Sequence, residues 1–128
     1  MKDFFAQLPE DLKQSAYFAS GEAAWPRDQA LRVIDQLSRW RVLVLGVEVW
    51  LSTVPGPTIP TPIIYTWECA QKRDHEDWVQ FVERAKESAK DYVHRFQWHE
   101  TDTEHRHLTP YFNLTFCDET EYRELSGC

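Results

Sequence analysis

Residues 41–51, RVLVLGVEVWL, carry the strongest β pattern in the chain. Alternation places Leu43, Leu45, Val47, Val49 and Leu51 on one face and Val42, Val44, Gly46, Glu48 and Trp50 on the other. The first half is apolar on both sides, which predicts a strand in the middle of a sheet with helices on at least one face. Gly46, inside this strand, marks a bulge or a point of close packing. Ahead of it, residues 4–18 predict a short, weakly periodic helix with Pro9 in its first turn, closed near Ser20-Gly21. Pro26 opens a better helix, with Ala30, Ile34 and Leu37 on one stripe, Leu31 and Val33 beside it, and Arg27, Asp28, Arg32, Asp35 and Arg39 outward. It ends near Trp40.

Beyond the core strand, residues 53–62, TVPGPTIPTP, hold four prolines in ten positions. Proline fixes φ and donates nothing to a ladder, so this stretch is expected to be a stiff loop rather than a paired strand. Residues 63–70, IIYTWECA, regain β character and are expected to close an antiparallel hairpin with the core strand at the sheet centre. Residues 74–97 are the clearest helix: Trp78, Phe81, Val82, Ala85, Ala89, Tyr92, Val93 and Phe96 recur at three- and four-residue steps. Asp74 is the expected N-cap, with Glu76 and Asp77 suited to the helix dipole. Residues 98–109 form a polar connection. Residues 111–117, YFNLTFC, give a third strand with Phe112, Leu114 and Phe116 on its apolar face, and the tail is expected to make one helical turn. The expectation is a single α+β domain over residues 1–128. Its order is ααββαβ, with a small antiparallel sheet of a central hairpin and a C-terminal strand beneath a long amphipathic helix.

Composition narrows the function classes. With 42% hydrophobic and 14% aromatic residues the chain can fill one core. No run approaches the roughly 18–20 consecutive apolar residues of a membrane span. Residues 1–11 carry acids where a signal peptide has its apolar run, so the expected location is the cytoplasm. Cys69, Cys117 and Cys128 are an odd count without CxxC spacing, which suits free thiols in a reducing compartment. Formal net charge is −7, and it is uneven. From His99 onward Glu100, Asp102, Glu104, Asp118, Glu119, Glu121 and Glu124 face only Arg106 and Arg123, so the last 30 residues hold −5 of it. That balance argues against nucleic acid and suits a basic protein partner.

Three groupings could bear chemistry. His94, His99, His105 and His107 with the neighbouring acids offer metal-ligand types, but the spacing matches no metalloenzyme signature and no HExxH exists, so no metal or cofactor is expected. Glu48 and Glu68 would share a sheet face if the hairpin pairs in register, and close carboxylates can divide acid and base roles. The serines lack a nucleophile-elbow context, and Cys69 and Cys117 sit in strands where a thiol is usually an inert core residue. A small hydrolase-like enzyme using the His/acid cluster or the carboxylate pair is the alternative, beside a structural adaptor; the expectation is no enzyme.

One combination of residues is familiar. Gly21-Glu22-Ala23-Ala24-Trp25-Pro26, the helix after it, VLVLGVEVW at 42–50, Tyr65-Thr66-Trp67 and the Trp78-containing helix together resemble the bacterial immunity protein 40 family, an α+β group encoded beside polymorphic toxins. The chain departs from that pattern at Val47, where a second glycine is common, and in its proline-rich loop. The resemblance implies a cytoplasmic protein that binds and blocks a cognate toxin, and it supplies no catalytic residues. With the charge asymmetry, it makes Trp98, Glu100, Asp102, Glu104, Tyr111, Asp118, Glu119 and Glu121 the expected partner-binding residues, acids steering and aromatics anchoring a basic toxin. The expected state is a monomer or weak homodimer, with neither nucleic acid nor membrane as partner.

Overall fold

The computed structural model describes residues 4–19, 21–51, 59–60, 65–99, 106 and 108–125. A 3-10 turn (Phe5–Gln7) and α1 (Glu10–Ser15) lead into β1 (Tyr17–Ala19) and β2 (Glu22–Pro26). Then come α2 (Arg27–Arg39), β3 (Leu43–Leu51), β4 (Ile59–Pro60), β5 (Thr66–Glu68), α3 (Trp78–Arg95), β6 (Pro110–Cys117) and α4 (Glu119–Leu125). All strand pairs are antiparallel, in the order β1-β2-β6-β3, and β4 and β5 share the remaining edge of β3. The class is the expected α+β.

The start of the chain differs from the expected single helix. Leu8 and Pro9 are extended, α1 ends at Ser15, and Ala16 is again extended with φ −72° and ψ 141°. Gly21 takes φ +79°, a left-handed conformation that a side chain would strain, and this lets Tyr17–Ala19 fold back on Glu22–Pro26 as a hairpin. Pro26 then serves both neighbours: it closes β2 and, as N-cap, precedes α2 without needing an amide donor. The helix ends at Arg39 with Trp40 as its C-cap, near the place the periodicity predicts.

The sheet centre is also different. β3 pairs with β6 from Leu43↔Cys117 to Leu51↔Pro110, whereas β5 pairs with β3 over only three positions. The C-terminal strand, not the hairpin partner, is therefore the main neighbour. The reason is the apolar match: Val44, Val47 and Val49 stand opposite Phe116, Leu114 and Phe112. Ile59 and Pro60, inside the expected loop, pair with Leu51 and Trp50. A proline is tolerated there because β4 is an edge strand with a ladder on one side only. The rest of the proline-rich loop, and Ile63 and Ile64, lie outside the described residues.

A register shift between Val44 and Gly46 changes the faces of β3. One extra residue moves the alternation by one step, so Val42 and Val44 join Val47 and Val49 in the main core, and Leu43 goes to a second cluster. The wholly apolar face expected from strict alternation is split in this way. Gly46 fulfils both expectations for it, since a Cβ there would lie 3.2 Å from the Trp67 carbonyl oxygen.

The main core joins Ala30, Val33, Ile34 and Leu37 of α2 to the valines of β3 and to Phe112 and Leu114 of β6. Ala89 and Val93 of α3 enter the same core, while Phe81, Val82 and Ala85 pack with Leu43 and Cys117. The predicted α3 stripe is thus the buried one. Its N-cap is Asp77 rather than Asp74: the Gln80 amide donates to Asp77 Oδ1 at 2.8 Å and the Asp77 amide donates to Gln80 Oε1 at 2.9 Å. This reciprocal pair satisfies two amides that a helix start otherwise leaves bare. Arg27, expected outward, instead reaches the far end of α3, donating to the carbonyls of Val93 and His94 at 2.9 Å and of Phe96 at 3.1 Å.

Candidate functional site

The β1–β2 hairpin borders an apolar concavity. Phe18 pairs with Ala23, and Trp25 lies two residues further along β2, so the three side chains share a face. Trp25 is fixed by its Nε1, which donates to the Leu12 carbonyl at 2.7 Å and ties α1 to the sheet. Phe5 stands edge-on to Phe18 at 4.8 Å. Between this hairpin, the Phe4–Leu8 segment, Val33 and Leu37 of α2, and residues 113–116 of β6 lies a groove of about 460 Å³. Phe18 is 54% exposed at its side, and Glu22 on its lining is exposed. Asn113 closes the floor, donating Nδ2 to the Ala23 carbonyl at 2.8 Å.

The sequence-predicted binding residues fall in separate places. Trp98 is half-buried, with Nε1 donating to the Leu108 carbonyl at 3.1 Å and its ring against Tyr65 and Phe96. Tyr111 is half-buried, its ring 6.2 Å from Tyr17. Asp118 and Glu121 bond each other's amides at 2.8 and 3.0 Å and so start α4, and Glu119 pairs with Arg123 at 2.9 Å. Tyr111 and Asp118 are separated by the length of β6, about 20 Å at a strand's rise. The described acids and the two aromatics therefore occupy opposite ends of that strand. Glu100, Asp102 and Glu104 lie outside the described residues, as do His105 and His107.

Of the two groupings with candidate chemistry, the structure describes His94 and His99 of the first and both carboxylates of the second. His94 and His99 are exposed, and no metal-capable grouping of three or more His, Cys, Asp or Glu occurs among the described residues. Glu48 stands opposite Thr66 and Glu68 opposite Gly46, so the two carboxylates do share a face as diagonal neighbours, both exposed. Burial pushes the Cys117 thiol up to about 12, with Glu121 and Asp118 adding to it, and burial also raises Cys69. A thiol held protonated is a poor nucleophile. Glu76, expected only as a dipole partner for α3, is held by several bonds. Arg84 grips both its oxygens at 2.6 and 2.8 Å and the Arg73 amide adds a bond at 2.9 Å. The Arg84 bond is the main cause of a carboxyl lowered to about 2, and the pair fastens the 71–77 connection to α3. No local sequence signal marks this partner eight residues away, beyond the opposite charges themselves.

A family model described as Immunity protein 40 matches residues 11–116 of this chain. The chain belongs to the immunity protein 40 family. No curated protein and no solved structure matches it. Membership makes this an immunity protein, whose role is to neutralise a toxin, and it points away from an enzyme. The matched span contains the β1–β2 hairpin, α2 and nearly all of β6, and so most of the groove. Among the described residues no helix is long and apolar enough to cross a membrane.

Proposed function

We propose that this immunity protein works in the cytoplasm by stoichiometric inhibition, forming a protein–protein complex in which its acidic surface meets a basic face of the toxin. The observation that carries the reading is the placement of charge: within a family whose partner is a toxin, five of seven net negative charges belong to the last 30 residues. Asp118, Glu119 and Glu121, with Glu100, Asp102 and Glu104, are the acids proposed to steer the partner, and Trp98 and Tyr111 the aromatics proposed to contact it. Opposed fields mainly accelerate association and reject wrong partners, while desolvated contacts slow dissociation.

Association kinetics with the toxin encoded beside this gene, followed by surface plasmon resonance over a salt series, test the reading. Glu119→Lys is the appropriate reversal, because Asp118 and Glu121 are committed to starting α4. The association rate is expected to fall several-fold at low salt with the circular dichroism spectrum unchanged, and the difference is expected to shrink as salt screens the field. An association rate indifferent to both salt and reversal refutes electrostatic steering by this surface.

A further inference from the structure

The acids account for approach, but rim charges alone seldom hold a complex together, and an interface needs a place where the partner is desolvated. We infer that the groove beside the β1–β2 hairpin is that place, and that it receives an apolar side chain of the toxin flanked by lysine or arginine. This rests on the toxin-binding reading above and names its anchoring surface.

Two features select the groove. The first is its build: Phe4, Leu8, Trp25, Val33 and Leu37 make apolar walls fixed in the core, so the cavity exists before any partner arrives. Its volume of about 460 Å³ falls in the range of recognised binding pockets. The second is Phe18, 54% exposed on the terminal strand of the sheet. A sheet edge is ordinarily protected by charge or proline, as Pro60 does at the opposite edge, yet Tyr17–Ala19 carries neither. An uncharged edge beside an apolar cavity is a surface prepared for contact.

Charge identifies the occupant. Glu22 lines the groove and has no ion-pair partner among the described residues. Phe116, also on the lining, is followed two residues later by Asp118, so the lining reaches the end of β6 from which the α4 acids run. A second copy of this chain, itself at −7, would bring like charge to this rim. A basic protein with an apolar projection brings opposite charge to the rim and an apolar group to the centre.

Toxin binding by the full chain tests this with two variants that approach the groove from opposite sides. Phe18→Ser removes the exposed ring, and Ala23→Phe fills the cavity from the facing strand; Val79→Ser, on an exposed apolar residue of α3 outside the groove, is the control. Each groove variant is expected to raise the Kd for the neighbouring-gene toxin at least tenfold, chiefly through faster dissociation, while the control binds like the parent. If Ala23→Phe lowers the melting temperature, Phe18→Ser decides, because it deletes a ring already half in solvent. A parent that forms the complex while both variants bind unchanged overturns the groove and leaves the inhibitor reading intact. A parent that forms no complex overturns both. A chain that self-associates through Phe18, with toxin kinetics untouched by its removal, makes a second copy the occupant and overturns the inference.

Discussion

Replacing Arg27 tests how the two long helices are joined. Its guanidinium sits at the first position of α2 and donates to three carbonyls that α3 leaves without helical partners, those of Val93, His94 and Phe96. It also lies 5.8 Å from the centre of the Phe112 ring. Hydrogen bonds from a charged donor are each worth about 1.5–3 kcal/mol when water is excluded. The bond to His94 is exposed, and water can replace it, which leaves two partly buried bonds and a weak cation–π contact. Arg27→Ala is therefore expected to cost about 2–3 kcal/mol, a substantial part of the stability of a small domain. Urea unfolding followed by far-ultraviolet circular dichroism measures it, with the midpoint lowered and the slope unchanged. Arg27→Lys should recover roughly half the loss, since an ammonium carries charge to the site but cannot fork across several carbonyls. An Arg27→Ala unfolding free energy within about 0.5 kcal/mol of the parent's would show that the end of α3 does not depend on this contact.

Val82→Asp should unfold the domain, because it buries an unpaired carboxylate at a position only 2% exposed, at a cost of several kcal/mol; a parent-like melting curve would contradict the assigned helix face. Glu76 tests the acid limb. Its folded pKa of about 2 lies below the ordinary 4.5, so its contribution is complete above pH 4.5 and is lost as pH falls towards 2. Parent stability should then fall more steeply across that window than that of Glu76→Gln, and equal slopes in pH-dependent urea titrations would remove Glu76 from the account. Gly46→Val should destabilise by about 1–3 kcal/mol, because its side chain meets the Trp67 carbonyl on the neighbouring strand; a neutral result in thermal melts would mean that β5 gives way freely.

What the sequence revealed followed the length over which a pattern persisted. The α3 stripe runs from Phe81 to Val93 and was legible residue by residue, as were the limits of α2 and β6. The β1–β2 hairpin was not: three residues on one side and an alanine-rich EAAWP on the other are too short for a period, and alanine and glutamate suit a helix equally well. Strict alternation in β3 failed at one residue, where the register shift exchanged faces, although Gly46 had marked the place. The choice of N-cap between Asp74 and Asp77 turned on the Gln80 partner, three residues after Asp77. The groove was illegible for a deeper reason. It is made by four separate segments, three within residues 4–37 and the fourth at 113–116, so no local pattern contains it. The expected acids and aromatics are neighbours in sequence, yet an extended strand separates those that are described, because contiguity along β6 becomes distance.

We propose that this immunity protein neutralises its toxin by occupying it. Titrating a fixed amount of toxin activity with increasing amounts of this chain tests that most directly. Residual activity should fall in a straight line and reach its floor at one equivalent, and native mass spectrometry of the endpoint should show a one-to-one complex. Complete loss of activity at a small fraction of an equivalent, deepening with incubation time, would contradict inhibition by occupancy and indicate a catalytic protein instead.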